Sequence, residues 1–83
     1  MSPTIAIEVR LYAMLRRYSP QAGIGEPVRV EMPEGSTLAD LLSRLGVPDA
    51  EVKIVFVNSR HQDSGYPLRH GDRVALFPPV AGG

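Results

Sequence analysis

The chain finishes on FPPVAGG, and its last two residues, Gly82 and Gly83, have no side chain with which to bind, catalyse or pack. Glycine also loses more conformational entropy on ordering than any other residue. A Gly-Gly end is therefore useful only if the reacting group is the backbone carboxylate of Gly83. An α-carboxyl with a pKa of about 3.5 is ionised at neutral pH and can attack the α-phosphorus of ATP. The product is an acyl-adenylate, from which a nucleophile can displace AMP. Gly82 and Gly83 would let that group pass through a channel too narrow for a β-carbon.

The remaining chemistry-bearing residues point elsewhere. His61 and His70 lie in turn-rich segments without a third ligand at metal spacing, and read as solvated loop residues rather than zinc ligands or bases. Asp63 and Asp72 read as turn caps rather than a catalytic pair. Ser36 and Ser64 have no visible base and read as structural. With no cysteine, the chain can form neither a persulfide nor a disulfide nor a thiolate metal site. The protein alone is expected to catalyse nothing and to bind no cofactor or metal, its reactive end being a substrate for other enzymes.

Composition narrows the partners. Nine basic residues balance nine acidic ones, which argues against nucleic acid or an anionic membrane as partner, since both select for a basic excess. The longest apolar stretch is too short to span a bilayer, and MSPTIAIEVR lacks the charged start and apolar core of a signal peptide, so a cytoplasmic location is expected. At 83 residues without repeats or linkers, the chain reads as one small domain over residues 1–77 with a reactive tail over 78–83.

The elements that must present this tail follow from hydrophobic period. TIAIEVRL alternates strictly, placing Ile5, Ile7, Val9 and Leu11 on one side of a strand and Ala6, Glu8 and Arg10 on the other. YAMLRRYSP reads as a short helix closed by Pro20, with Arg16 and Arg17 solvated. PVRVEMP alternates again and can pair with the first strand as a hairpin. Thr37 to Asp40 fits a capping pattern, and Leu38, Leu41, Leu42 and Leu45 then form one helical stripe, stopped by Gly46 and Pro48. VKIVFVN reads as a strand with both faces partly covered. QDSGYPLRHGD is turn chemistry with Leu68 as its apolar plug and Gly71 at positive φ, and RVALF is the last strand. The expected fold is α+β, in the order β-β-α-β-β, with one main helix on one face of a mixed sheet. Pro78 and Pro79 cannot donate to a ladder, so pairing should end at Phe77 and a mobile, extended tail should reach about 20 Å beyond it.

The YPLRHGDRVALFPPVAGG block, the TLADLLSRLG helix and the β-β-α-β-β order together resemble the MoaD/ThiS family of ubiquitin-like sulfur carriers, which have the β-grasp fold. The likeness spans essentially the whole chain. Its Phe-Pro-Pro-Val portion resembles the small subunit of molybdopterin synthase more than the thiazole sulfur carrier. The resemblance implies that Gly83 is adenylated at the expense of ATP by a partner of the ubiquitin-activating type (MoeB-like). A sulfur donor protein then converts it to a thiocarboxylate, which delivers sulfur to a pterin precursor within a large synthase subunit (MoaE-like), for molybdenum cofactor. With no cysteine in the chain, the tail is then the seat of transferable sulfur. Fold and tail are also compatible with a protein modifier joined through Gly83 to lysine on a target, although the tail's wording favours the synthase subunit, and a third reading is a non-covalent binding module with an incidental tail.

Strand parity locates a docking surface. If Val74 and Leu76 face inward, Ala75 and Phe77 face outward, and a continued first strand sets Tyr12 on the same face as Arg10. With the first and last strands as parallel neighbours, as the resemblance implies, Tyr12 and Phe77 meet where the tail departs. The alternative is that Tyr12 opens the short helix and packs locally. The expected partner-binding residues are Phe77, Pro78, Pro79, Val80 and Ala81, with Tyr12 and Arg16 nearby.

Overall fold

In the computed structural model, residues 3–18 and 26–79 are described. Strand β1 (Thr4–Leu11) buries Ile5, Ile7, Val9 and Leu11, as its alternation requires. Strand β2 (Val28–Pro33) returns antiparallel, setting Ile7 opposite Val30 and Ile5 opposite Met32. Helix α1 (Leu38–Leu45) begins with a capping box: the Thr37 hydroxyl accepts from the Asp40 amide while the Asp40 carboxylate accepts from the Thr37 amide. The helix ends on Gly46 at φ 75°, left-handed backbone that a β-carbon would disfavour. Its Leu38, Leu41 and Leu42 are buried in one core with the inward residues of the sheet.

Strands β3 (Ile54–Val57), β4 (Arg60–His61) and β5 (Arg73–Phe77) complete a five-stranded sheet in the order β2-β1-β5-β3-β4. The last strand is thus the central one. It runs parallel to β1, with Leu76 beside Leu11, and antiparallel to β3, with Leu76 beside Val55. Val74 and Leu76 are buried, so the inward parity read from RVALF holds.

The segment after β1 is a short helix, as read, of the 3-10 form (Ala13–Tyr18), and buries only Leu15; six residues with one anchor suit the tighter form. Pro20, expected to close it, lies outside the described residues. Two local features differ from the sequence reading. The two-residue β4 was not expected. It forms because Asn58 and Ser59 both take left-handed backbone, φ 51° and 70°, which turns β3 back on itself in the manner of a tight hairpin without glycine. His70, although exposed, is not merely solvated: its Nδ1 accepts from the Ala6 amide at 3.0 Å, standing in for a strand carbonyl where β5 has not yet begun. The Gly71 amide donates to Ala6 O beside it, with Gly71 at φ 87° as the turn chemistry requires.

The loop before β5 is held at both ends. Leu68 plugs the core, and the Leu38 and Ala39 amides, without partners inside their own helix, donate to the carbonyls of Tyr66 and Ser64. Ser36 is structural, donating to Pro33 O at 2.7 Å, and Asp63 closes a turn through its backbone carbonyl, which accepts from the Tyr66 amide. Asp72, buried, does cap its turn by side chain: its carboxylate accepts from the Arg69 amide at 2.8 Å and from Asn58 Nδ2 at 2.9 Å. Asn58 Oδ1 in turn accepts from the Arg73 amide at 3.0 Å, so one network fixes the β3-β4 turn and the first residue of β5. Asp72→Ala leaves two donors without an acceptor and is expected to cost about 1 to 3 kcal/mol. Urea unfolding of the variant checks this, and an unchanged midpoint would show that water replaces the carboxylate at no cost.

Candidate functional site

The site is the end of β5 and the sheet face around it. β5 is clamped on both sides up to its last residue: the Tyr12 amide donates to Leu76 O at 3.2 Å, and the Lys53 amide to Phe77 O at 2.8 Å. Beyond this point Pro78 and Pro79 have no amide hydrogen, so neither neighbouring strand can be extended through them as acceptor of a ladder bond. The chain therefore leaves the body at a place set by two backbone hydrogen bonds. Pro78 is half-buried and Pro79 exposed, while Val80, Ala81, Gly82 and Gly83 lie outside the described residues.

Tyr12 and Phe77 meet as expected. Their rings stack with centroids 4.6 Å apart and planes 5° from parallel. Both readings of Tyr12 hold at once: it continues the ladder of β1 through its amide and opens the 3-10 helix through its carbonyl, which accepts from the Leu15 amide at 3.1 Å. The two roles require a sharp change of direction. Ala13 takes it at φ 53°, a conformation costing a non-glycine residue about 1 to 2 kcal/mol, while Leu15 two residues on is fully buried and helps offset it.

Phe56 joins the pair, and the sequence reading missed it. Its ring stands edge-on to Phe77 with centroids 5.7 Å apart, and His61 on β4 stands edge-on to Phe56 at 6.2 Å. The signal was present in VKIVFVN, where Ile54 and Phe56 share one parity and Val55 and Val57 the other, but a nearly continuous apolar run hides which parity faces the core. Register decides it: Phe56 pairs with the outward Ala75, and Val57 with the buried Val74.

Arg16 is exposed on the 3-10 helix and makes no hydrogen bond or ion pair among the described residues. Arg17 is not simply solvated, as had been expected. Its guanidinium donates to the Tyr18 hydroxyl at 3.2 Å and pairs with Glu51, to which the Tyr18 hydroxyl also donates. The bond to Tyr18 and the charge of Glu51 raise the Arg17 pKa above its ordinary value. This cluster ties the 3-10 helix after β1 to a second one, Asp49–Glu51, which leads into β3. Two of the strands flanking the exit are thereby joined beyond the sheet. Among the described residues no three His, Asp or Glu side chains gather as a metal site.

Comparison with known proteins agrees with this geometry. The profile of the ThiS family matches residues 9–83. A Pyrococcus furiosus protein assigned as molybdopterin converting factor, subunit 1, is similar at 27% identity and a TM-score of 0.71, the match covering 92% of this chain and 99% of that one. SAMP1 from Haloferax volcanii is similar at 26% identity and a TM-score of 0.71, covering 94% of this chain and 99% of that one. Ubiquitin from Caldiarchaeum subterraneum, at 14% identity and a TM-score of 0.61 over 98% of this chain and all of its own, shares the fold alone, which is the β-grasp. None of the curated proteins matches the chain in sequence.

A half-exposed aromatic cluster beside a clamped strand end offers a partner apolar contact area without disturbing the core, since Leu76 and Val74 underneath carry the packing. The ring stack should still be measurable in the free protein. A double-mutant cycle on Tyr12→Ala and Phe77→Ala, read by chemical unfolding, is expected to give a coupling of about 0.5 to 1.5 kcal/mol. Strictly additive effects would mean that the stack contributes nothing beyond burial of each ring.

Proposed function

This chain belongs to the ThiS family of ubiquitin-like sulfur carriers, and from that premise we propose that it is the sulfur-carrying small subunit of a molybdopterin synthase. The observation that carries the reading is the exit of the central strand. Leu76 and Phe77 are held by the Tyr12 and Lys53 amides from opposite sides, and Phe77 is stacked on Tyr12 and followed by Pro-Pro-Val-Ala-Gly-Gly. A fixed body thus presents a stiff segment ending in the smallest residue type. Similarity to the Pyrococcus furiosus molybdopterin converting factor, subunit 1, favours molybdopterin over thiazole as destination.

The chemistry runs through one nucleotidyl transfer and one acyl transfer. The Gly83 carboxylate attacks the α-phosphorus of ATP in an adenylating partner, forming acyl-adenylate and releasing pyrophosphate. Sulfide-level sulfur then attacks the acyl carbon; the carbon–sulfur bond forms, the carbon–oxygen bond to AMP breaks, and AMP leaves with the electron pair. Loss of the sulfur-bound proton gives the thiocarboxylate, whereas a persulfide donor would also require a thiol to reduce the resulting acyl disulfide. Sulfur passes to a pterin precursor in a large synthase subunit, and water restores the carboxylate. Throughout, Tyr12, Phe56, Phe77, Pro78 and Pro79 bind the partner and fix where the tail starts, while Gly82 and Gly83 carry no β-carbon into its channel.

SAMP1, named a small archaeal modifier protein, supports a second reading in which Gly83 is joined to lysine on a target. Incubation with ATP, sulfide and the adenylating enzyme, followed by intact-mass measurement, separates the two. Gain of one sulfur for one oxygen is expected; a ladder of larger conjugates instead would favour the modifier. Gly82→Val, or one residue added after Gly83, should stop the mass change while leaving thermal unfolding unaltered, and normal activation of either would refute the narrow channel. Phe77→Ala is expected to weaken binding to the large subunit by about 1 to 3 kcal/mol, the range for a buried interface aromatic. Calorimetric titration reads this directly, and undiminished affinity would remove the aromatic cluster from the interface.

A further inference from the structure

The outer face of the sheet is concave for a reason visible in its rows. Arg10 on β1, Ala75 on β5 and Phe56 on β3 stand side by side, so the middle position is a methyl group between two long side chains. The row toward the tail holds Phe77 with Tyr12 stacked beside it. The row away from it holds Arg29, Glu8 and Arg73, on three successive strands. Together these rows bound a groove of about 770 Å³, lined among others by Glu8, Arg10, Tyr12, Phe56, Arg73 and Phe77.

Its charge is unbalanced. Two guanidiniums, Arg10 and Arg73, face one carboxylate, Glu8, for a net of +1, and Arg29 beyond the groove adds another positive charge next to Glu8. Yet the one ion pair among the described residues is Arg17 with Glu51, on a different part of the surface, and neither Arg10 nor Arg73 has a carboxylate within salt-bridge distance. The chain as a whole is neutral, so this positive strip is local. In register, Arg10 and Arg73 are one strand and two residues apart, about 7 to 8 Å between α-carbons, which is close to the spacing of alternate residues along an extended strand.

We propose that this groove takes an acidic segment of the partner protein, whose carboxylates pair with Arg10 and Arg73 while an adjoining apolar side chain rests on Tyr12 and Phe77. The inference rests on the sulfur-carrier reading and adds to it the chemistry of the partner's surface and two residues that select for it. Continuity supports this occupant: the groove shares Tyr12, Phe56 and Phe77 with the aromatic cluster and opens at the strand end from which the tail departs, so a partner receiving the tail also covers the groove. The arginines supply register and discrimination between partners, as charges at an interface margin do, and the aromatics supply contact area.

The test is calorimetric titration of the full chain against the same organism's large synthase subunit, from about 50 mM to about 500 mM salt, over which the Debye length shortens about threefold. Arg10→Glu combined with Arg73→Glu is expected to weaken binding by about tenfold or more at low salt and to flatten the salt dependence. Arg44→Glu, on the exposed side of α1, alters net charge without touching the groove and should leave both unchanged. Thermal unfolding shows that each variant is folded. Wild-type affinity in the Arg10/Arg73 variant overturns the inference and spares the sulfur-carrier reading, as does equal weakening by Arg44→Glu, which would assign the effect to net charge. If the wild-type chain neither binds the subunit nor gains sulfur, the reading itself fails and the inference with it.

Discussion

The organisation of this molecule depends on the placement of its last strand in the middle of the sheet. β5 has β1 on one side and β3 on the other, and near its end Leu76 O accepts from Tyr12 after β1 while Phe77 O accepts from Lys53 before β3. Val74 and Leu76 beneath it are almost fully buried. An edge strand would fray at its end, whereas a central strand can fray only if both ladders and the core open together. The point from which the tail departs is therefore as firmly located as the core itself, and the two prolines ensure that the ladder cannot creep outward along the chain.

That placement also divides labour between the two faces. Period-two alternation means that burying Val74 and Leu76 obliges Ala75 and Phe77 to face outward, and the neighbouring strands follow by register, turning out Arg10, Ile54 and Phe56. The outer face is thus not free to vary independently of the core: a shift of one residue in β5 would exchange them. The helix covers only the inner face, leaving the outer one open across three strands, with aromatic residues toward the tail and charged residues away from it. A partner approaching the tail meets that gradient in a fixed order.

Anchoring at the far end of β5 matters as much as clamping at the near end. Asp72, Asn58 and His70 set where β5 begins, each by a side chain replacing a backbone group that the sheet lacks at that point. Ala13 and the Arg17–Tyr18–Glu51 cluster do the same beyond its end, turning the chain after Tyr12 and joining the segments that flank the exit. Left-handed backbone at non-glycine residues appears here, at Ala13, Asn58 and Ser59, outside the strands, because there the chain must be steered without a ladder.

Much of this was legible in the residues. Alternation in TIAIEVRL, the Thr37–Asp40 box, the leucine stripe, Gly46 and Gly71 are local signals, and each depends on interactions within a few residues, so the sequence by itself determined those elements, their inward faces and the proline stop after Phe77. What only the tertiary structure decided is what comes from distant partners. The outward parity of Phe56 required its register with Ala75; the pairing of Arg17 required Glu51, 34 residues away; the hairpin at Asn58 and Ser59 required Asp72 to hold a turn that carries no glycine. The groove between Arg10 and Phe56 is likewise made by an alanine on a third strand, a relation between side chains that no window along the chain contains, because hydrogen-bond register across a sheet is set by the whole core rather than by any one strand.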